Sequence, residues 1–112
     1  MELKELLVLA IKKNASDLHL VASQPPILRI NGNLVKTDMP VLNKEDNKRL
    51  IYSVLSNEQK AIFEKELEID FSLSLPGLDR FRVNVHIQRG CVEAALRRIP
   101  RVIPSITELG LP

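Results

Sequence analysis

The stretch Arg80-Phe81-Arg82-Val83-Asn84-Val85-His86-Ile87-Gln88 carries the densest chemistry in the sequence. Its alternation is strict: Phe81, Val83, Val85 and Ile87 fall on one side of an extended chain, and Arg80, Arg82, Asn84, His86 and Gln88 on the other. A second alternating run follows, in which Val92, Ala94 and Leu96 share a face and Glu93, Ala95 and Arg97 the opposite one. Core must oppose core in a hairpin, so Ile87 is expected to pair with Val92 across a loop of Arg89-Gly90 or Gln88–Cys91. That register sets Val85 against Ala94, Val83 against Leu96 and Arg82 directly against Arg97, with Arg80 two residues away on the same face. Like charges opposite one another in a ladder are destabilising, and a one-sided arginine cluster on two rigid strands is a ready anion site. Arginine's planar fork matches phosphate bidentately, and each charge-assisted hydrogen bond contributes about 1.5–3 kcal/mol. Arg80, Arg82 and Arg97 are therefore the candidate site. The plainer alternative is a solvated sheet face with Asp79 or Glu93 as counter-ions.

Other chemistries are poorly served. His19 and His86, with Asp17 and Cys91, lack metal-ligand spacing and lie on separate strands, so no metal site is expected. Cys91 has no base near it in sequence, and Glu68 and Asp70 lead into a strand where they are solvated rather than buried as an acid/base pair. A nucleic-acid platform needs basic residues interleaved with stacking aromatics. Phe63, Phe71 and Phe81 all fall on core faces instead, leaving only Tyr52. None of Gly32, Gly77, Gly90 and Gly110 is followed by lysine, so the chain holds no phosphate-cradling P-loop. It is not expected to split ATP alone.

The elements that must position these residues are readable from periodicity. Leu3, Leu6, Leu7, Ala10 and Ile11 mark an amphipathic helix ending near Asn14. From Asp17 the period becomes two, with Leu18, Leu20 and Ala22 facing one way. Ile27–Ile30 and Leu34–Thr37 flank Asn31-Gly32-Asn33, a hairpin signal because both central turn residues need positive φ. Asn43 is suited to cap a helix bearing Leu50, Ile51, Val54 and Leu55. Ser56-Asn57-Glu58-Gln59 is a capping box that opens a helix expected to bury Ile62, Phe63 and Leu67. Ile69, Phe71, Leu73 and Leu75 form a strand stopped by Pro76-Gly77. Pro100 and Pro104 end the regular structure before a turn of helix at Ser105–Leu109. The order α-β-β-β-α-α-β-β-β implies an α+β fold, an antiparallel sheet of about six strands with helices on one side.

Length and composition agree. The 112 residues are 45% hydrophobic and 27% charged, as in a globular domain, and the net charge of +2 does not name nucleic acid as a partner. The longest apolar run is about six residues against the ~20 needed to span a bilayer. Met1-Glu2-Leu3-Lys4-Glu5 does not read as a secretory signal, and a single cysteine excludes an internal disulfide.

A set of motifs then becomes specific in series: Ala15-Ser16-Asp17-Leu18-His19-Leu20, Pro25-Pro26-Ile27-Leu28-Arg29-Ile30-Asn31-Gly32 and Asp70-Phe71-Ser72. Pro76-Gly77-Leu78, Arg80-Phe81-Arg82-Val83-Asn84, Gln88-Arg89-Gly90, Arg97 with Ile99-Pro100, and Leu109-Gly110-Leu111-Pro112 complete it. Over essentially the whole chain these resemble the opening of the pilus-retraction (twitching-motility) ATPases of the type II/IV secretion superfamily. The resemblance implies a PAS-like domain over 1–100 and, over 101–112, the start of a linker to a RecA-like ATPase domain. It further implies a homohexamer in which this domain packs on the RecA-like domain of its own and a neighbouring subunit. ATP and Mg would bind in the full-length protein, with Arg80, Arg82 and Arg97 reaching the phosphates and no cofactor held tightly by this chain alone. A cytoplasmic location facing the inner membrane and its pilus machinery follows, with no direct membrane insertion and no nucleic acid. Arg98 falls at a position the family varies and should point the other way. Arg89 belongs to the hairpin loop. Cys91, Glu93 and Leu96 depart from the family's usual residues, and Glu93 could soften the arginine charge. The rival readings are a pilus-assembly or type II secretion ATPase and a free-standing PAS-like interaction module.

Overall fold

The computed structural model describes residues 2–99; the expected linker and the helical turn at Ser105–Leu109 lie outside the described residues. Periodicity resolves into α1 (Leu3–Lys12), β1 (Asp17–Leu20), β2 (Ile27–Ile30) and β3 (Asn33–Lys36). After them come α2 (Lys44–Tyr52), α3 (Asn57–Glu66), β4 (Glu68–Ser74), β5 (Arg80–Gln88) and β6 (Cys91–Ile99). The expected order and α+β class are those observed. The six strands form one sheet, β3-β2-β1-β6-β5-β4, antiparallel throughout.

Local chemistry explains the boundaries. Asn43 Oδ1 accepts from Asp46 N at 2.8 Å and opens α2. In α3, Ser56 Oγ accepts from Gln59 N at 3.1 Å while Gln59 Oε1 accepts from Ser56 N at 2.9 Å, the reciprocal box that satisfies two orphan helix donors. Two of the hairpins, β2–β3 and β5–β6, close on two-residue loops, Asn31-Gly32 (φ 52° and 82°) and Arg89-Gly90 (φ 53° and 73°). Positive φ at both positions gives a turn whose twist matches that of the flanking strands.

All three helices cover one sheet face: α1 packs on β1, α2 on β6 and α3 on β4. The core they close joins Leu6 and Leu7 of α1, Leu50 and Ile51 of α2 and Phe63 of α3 to Leu18, Leu20, Phe81, Val83, Val85 and Leu96 of the sheet. Burying a side chain of this size contributes about 1.5–3 kcal/mol. Three expected core residues are instead exposed: Ile62 (49%), Leu67 (56%) and Ile87 (36%). Helix α3 lies over the edge strand, so a single turn position, Phe63, reaches the interior. Leu67 is the left-handed C-cap (φ 64°) that turns the chain into β4. Ile87 points to the core side but sits at the hairpin tip, at the margin of the helical cover.

The β1–β6 ladder pairs Leu18 with Leu96 and ends at Leu20–Ala94. Beyond it, side chains replace the missing strand partner. Asn47, fully buried on α2, donates through Nδ2 to Leu20 O (3.1 Å) and Val92 O (2.7 Å). From the opposite face Glu93 Oε2 accepts from Ala22 N at 3.2 Å.

Candidate anion-binding face

The sheet face away from the helices is open, and alternation decides what stands on it. One row of paired residues crosses five strands, Arg29, Asp17, Arg97, Arg82 and Ser72. The next row reads Ile27, His19, Ala95, Asn84 and Asp70. The β5–β6 register is the expected one in every pair, Ile87 with Val92, Val83 with Leu96, Arg82 with Arg97. Arg80 lies one step further along β5, opposite Ile99 and Ser74. Arg80, Arg82 and Arg97 are all exposed and share the face.

Counter-ions are distributed differently from the plainer expectation. Asp79 serves Arg98, not the cluster: its Oδ2 lies 2.9 Å from Arg98 Nε, a close ionic contact whose N–H is not aimed for a hydrogen bond. Arg98 points to the other side of β6, as expected, where Nη1 also donates to Asn14 Oδ1 (3.2 Å) and Ala15 O (3.3 Å). Glu93 is 7% exposed and is occupied at the far end of the face by Ala22 N and by His86 Nε2 at 3.9 Å. It lies four positions before Arg97 on the strand, about 13 Å away.

The acid that does stand beside the arginines is Asp17, whose Oδ2 is 3.7 Å from Arg97 Nε. Ser16 Oγ donates to the other oxygen at 2.6 Å. Neither Arg80 nor Arg82 has an ion-pair partner among the described residues. Periodicity placed Asp17 on the polar side of β1, but pairing it with Arg97 requires knowing that β1 lies against a strand some eighty residues away, which no local pattern states.

Small Ala95 leaves a shallow depression of about 360 Å³ walled by Asp17, Arg97, Arg82, Asn84 and Asp70. Asn84 is held there by Nδ2 donating to Glu68 Oε2 (3.0 Å) and Asp70 Oδ1 (3.1 Å), which leaves its Oδ1 to accept from His86 Nδ1 at 3.0 Å. Arginines therefore gather at one end of the face with Asp17 among them, and the carboxylates of Glu68, Asp70 and Glu93 stand toward the other. His19, between the two ends, has a buried Nε2 without a hydrogen-bond partner. Burial, chiefly, lowers its pKa below 6.5; Asp17 opposes the shift and Arg29 adds to it.

A depression this open can hold an anionic tail on one side and needs a second surface to enclose a whole ligand. Among the described residues there is no group of three or more metal-ligating side chains, and no helix is long and apolar enough to cross a membrane.

No family model matches the chain. Curated relatives do. It is 40% identical over 111 residues to the type IV pilus retraction ATPase PilT of Pseudomonas aeruginosa, covering 99% of this chain and 32% of that protein. It is 36% identical over 112 residues to the type IV pilus ATPase PilU of the same organism, covering 100% and 29%. Among solved structures, that of the pilus retraction motor PilT with bound ADP superposes with a TM-score of 0.87 at 43% identity, over 100% of this chain and 33% of that one. The Legionella pneumophila ATPase DotB follows at 0.75 and 25% identity, over 98% and 31%. The chain thus spans about a third of the length of the proteins it matches. In sequence and in fold, it is a close match from end to end to the N-terminal region of the pilus retraction ATPase PilT.

Proposed function

We propose that this chain is the N-terminal domain of a type IV pilus retraction ATPase and that its open sheet face supplies arginines to the phosphates of ATP. The observation that carries the reading is the exposed, opposed pair Arg82 and Arg97, with Arg80 beside it, on a PAS-like sheet whose PilT counterpart belongs to an ADP-bound motor. Two like charges held rigidly against each other are relieved by a polyanion placed over them. In the parent protein the nucleotide lies between this face and a RecA-like domain that provides the P-loop and Mg, in a homohexamer where neighbouring subunits complete the enclosure. The arginines then stabilise the charge that develops on the transferred phosphoryl group, the part arginine fingers play in other NTPases. Rotation of this domain against its neighbour couples nucleotide state to pilus retraction at the cytoplasmic face of the inner membrane.

The test is steady-state ATP turnover by the full-length protein. Arg82→Ala and Arg97→Ala are each expected to lower kcat at least tenfold, with the fold intact by circular dichroism. Turnover equal to the unmodified protein in both variants would remove the arginine assignment.

A further inference from the structure

Resting on the reading that Arg82 and Arg97 take phosphate, we propose that Asp17 is the positioning residue of that site. It is a fixed internal anion that holds Arg97 in waiting and competes with the phosphate for it. The pair is asymmetric. The Asp17 side chain is 12% exposed and the Arg97 side chain 75%. Asp17 is locked from both sides by backbone pairing to Arg29 and Arg97, and Ser16 Oγ grips its carboxylate at 2.6 Å. The carboxylate is the fixed partner and the guanidinium the movable one.

Arg29, the other arginine opposite Asp17, is turned away, its Nη1 donating to Gly32 O at 3.0 Å in the hairpin loop. Arg97 is left as the cation within ion-pair distance of Asp17. On the opposite flank of Arg97 stands Arg82, which repels it. Arg97 therefore has two arrangements. Without an anion it leans toward Asp17 and away from Arg82. With a phosphate bridging both guanidiniums it moves off Asp17, and when the phosphate departs Asp17 draws it back. An exposed ion pair of this kind is weak, so the competition is modest and readily reversed.

The experiment uses this chain, whose core is continuous across all three helices and the sheet, with tripolyphosphate as probe. The Nε–Hε signals of Arg80, Arg82 and Arg97 are followed by NMR. In the unmodified chain the Arg97 signal is expected at a carboxylate-paired position and leaves it on titration. Asp17→Asn keeps the side-chain shape and the acceptor for Ser16. It is expected to shift the Arg97 signal before any anion is added and to tighten tripolyphosphate binding about two- to fivefold. Ser16→Ala, which loosens the carboxylate without removing its charge, should move binding in the same direction by less. A purely structural Asp17 would give the reverse, weaker binding and a lower Tm in Asp17→Asn. Weaker binding, or an unmoved Arg97 signal in that variant, overturns the proposal. If tripolyphosphate moves none of the three arginine signals in either chain, the phosphate reading itself fails, even where the Asn substitution still reports the pairing.

Discussion

Arg97 and Arg98 are consecutive residues of one strand, yet they are used in opposite ways. Arg98, on the helix side of the sheet, has a side chain only 16% exposed, 2.9 Å from Asp79 and bonded to Asn14 and Ala15 at the α1–β1 junction. Arg97, on the open side, is 75% exposed and meets one carboxylate at 3.7 Å. Residue type is the same; the side of the strand decides the role. Polar groups on the covered face are spent on joining elements to one another, whereas those on the open face are held out with their bonding capacity largely unused.

The comparison predicts that substitutions on the covered face act on stability. The largest effect is expected at Asn47. Asn47→Ala leaves Leu20 O and Val92 O without their side-chain donor in a buried place, and a stranded buried acceptor costs about 1–3 kcal/mol. Urea denaturation of the 112-residue chain measures it, and a loss below ~0.5 kcal/mol would mean that water replaces the amide. Next comes Arg98→Ala, expected at about 1–2 kcal/mol because Asp79 is left with little solvent and no cation. The same variant should leave anion binding at Arg82 and Arg97 unchanged, which separates the two faces within one measurement.

His19 sharpens the boundary between the faces. Its pKa is lowered first by burial, so as pH falls through 6.5 the unfolded chain takes up a proton before the folded one. Stability from this group is complete above 6.5 and declines below it. Tm should therefore fall on acidification, and His19→Gln should flatten that fall. Two charged groups modify the effect of burial: Asp17 on the same strand opposes it and Arg29 on the neighbouring one adds to it. An identical slope in the variant would place the acid sensitivity elsewhere.

Much of this arrangement was legible in the sequence, and the limits are physical. The Arg82–Arg97 opposition followed from alternation in two strands joined by a tight turn, because a one-residue slip would have turned Phe81, Val83 and Val85 out of the core. Both two-residue hairpin turns, the Asn43 cap and the Ser56 box were legible for the same reason: each is decided within a few residues. What could not be read depends on distant chain. Asp17 meets Arg97, Asn47 bridges Leu20 O and Val92 O where the β1–β6 ladder ends, and Glu93 is drawn to Ala22 rather than to the arginines. Ile62 misled because apolar spacing marks a helix face but does not say how far over the sheet edge that helix will sit, and Leu67 because the helix ends before it and it serves as the left-handed cap.

The smallest expected effect is the most discriminating. Arg82 and Arg97 face each other, but they differ in what stands behind them. Arg82 is paired in the ladder with Ser72 on its far side, whereas Arg97 has Asp17. Removing Arg82 takes away a like-charge neighbour and no counter-ion, so Arg82→Ala should leave stability unchanged or raise it by up to about 0.5 kcal/mol. Removing Arg97 takes away the same repulsion but also strands the Asp17 carboxylate, so Arg97→Ala should lower stability by about that amount. Both should weaken tripolyphosphate binding alike. Opposite signs in denaturation with equal signs in binding are what a site held in readiness predicts. A solvated face of merely decorative charges would give two equal, near-zero changes in both measurements.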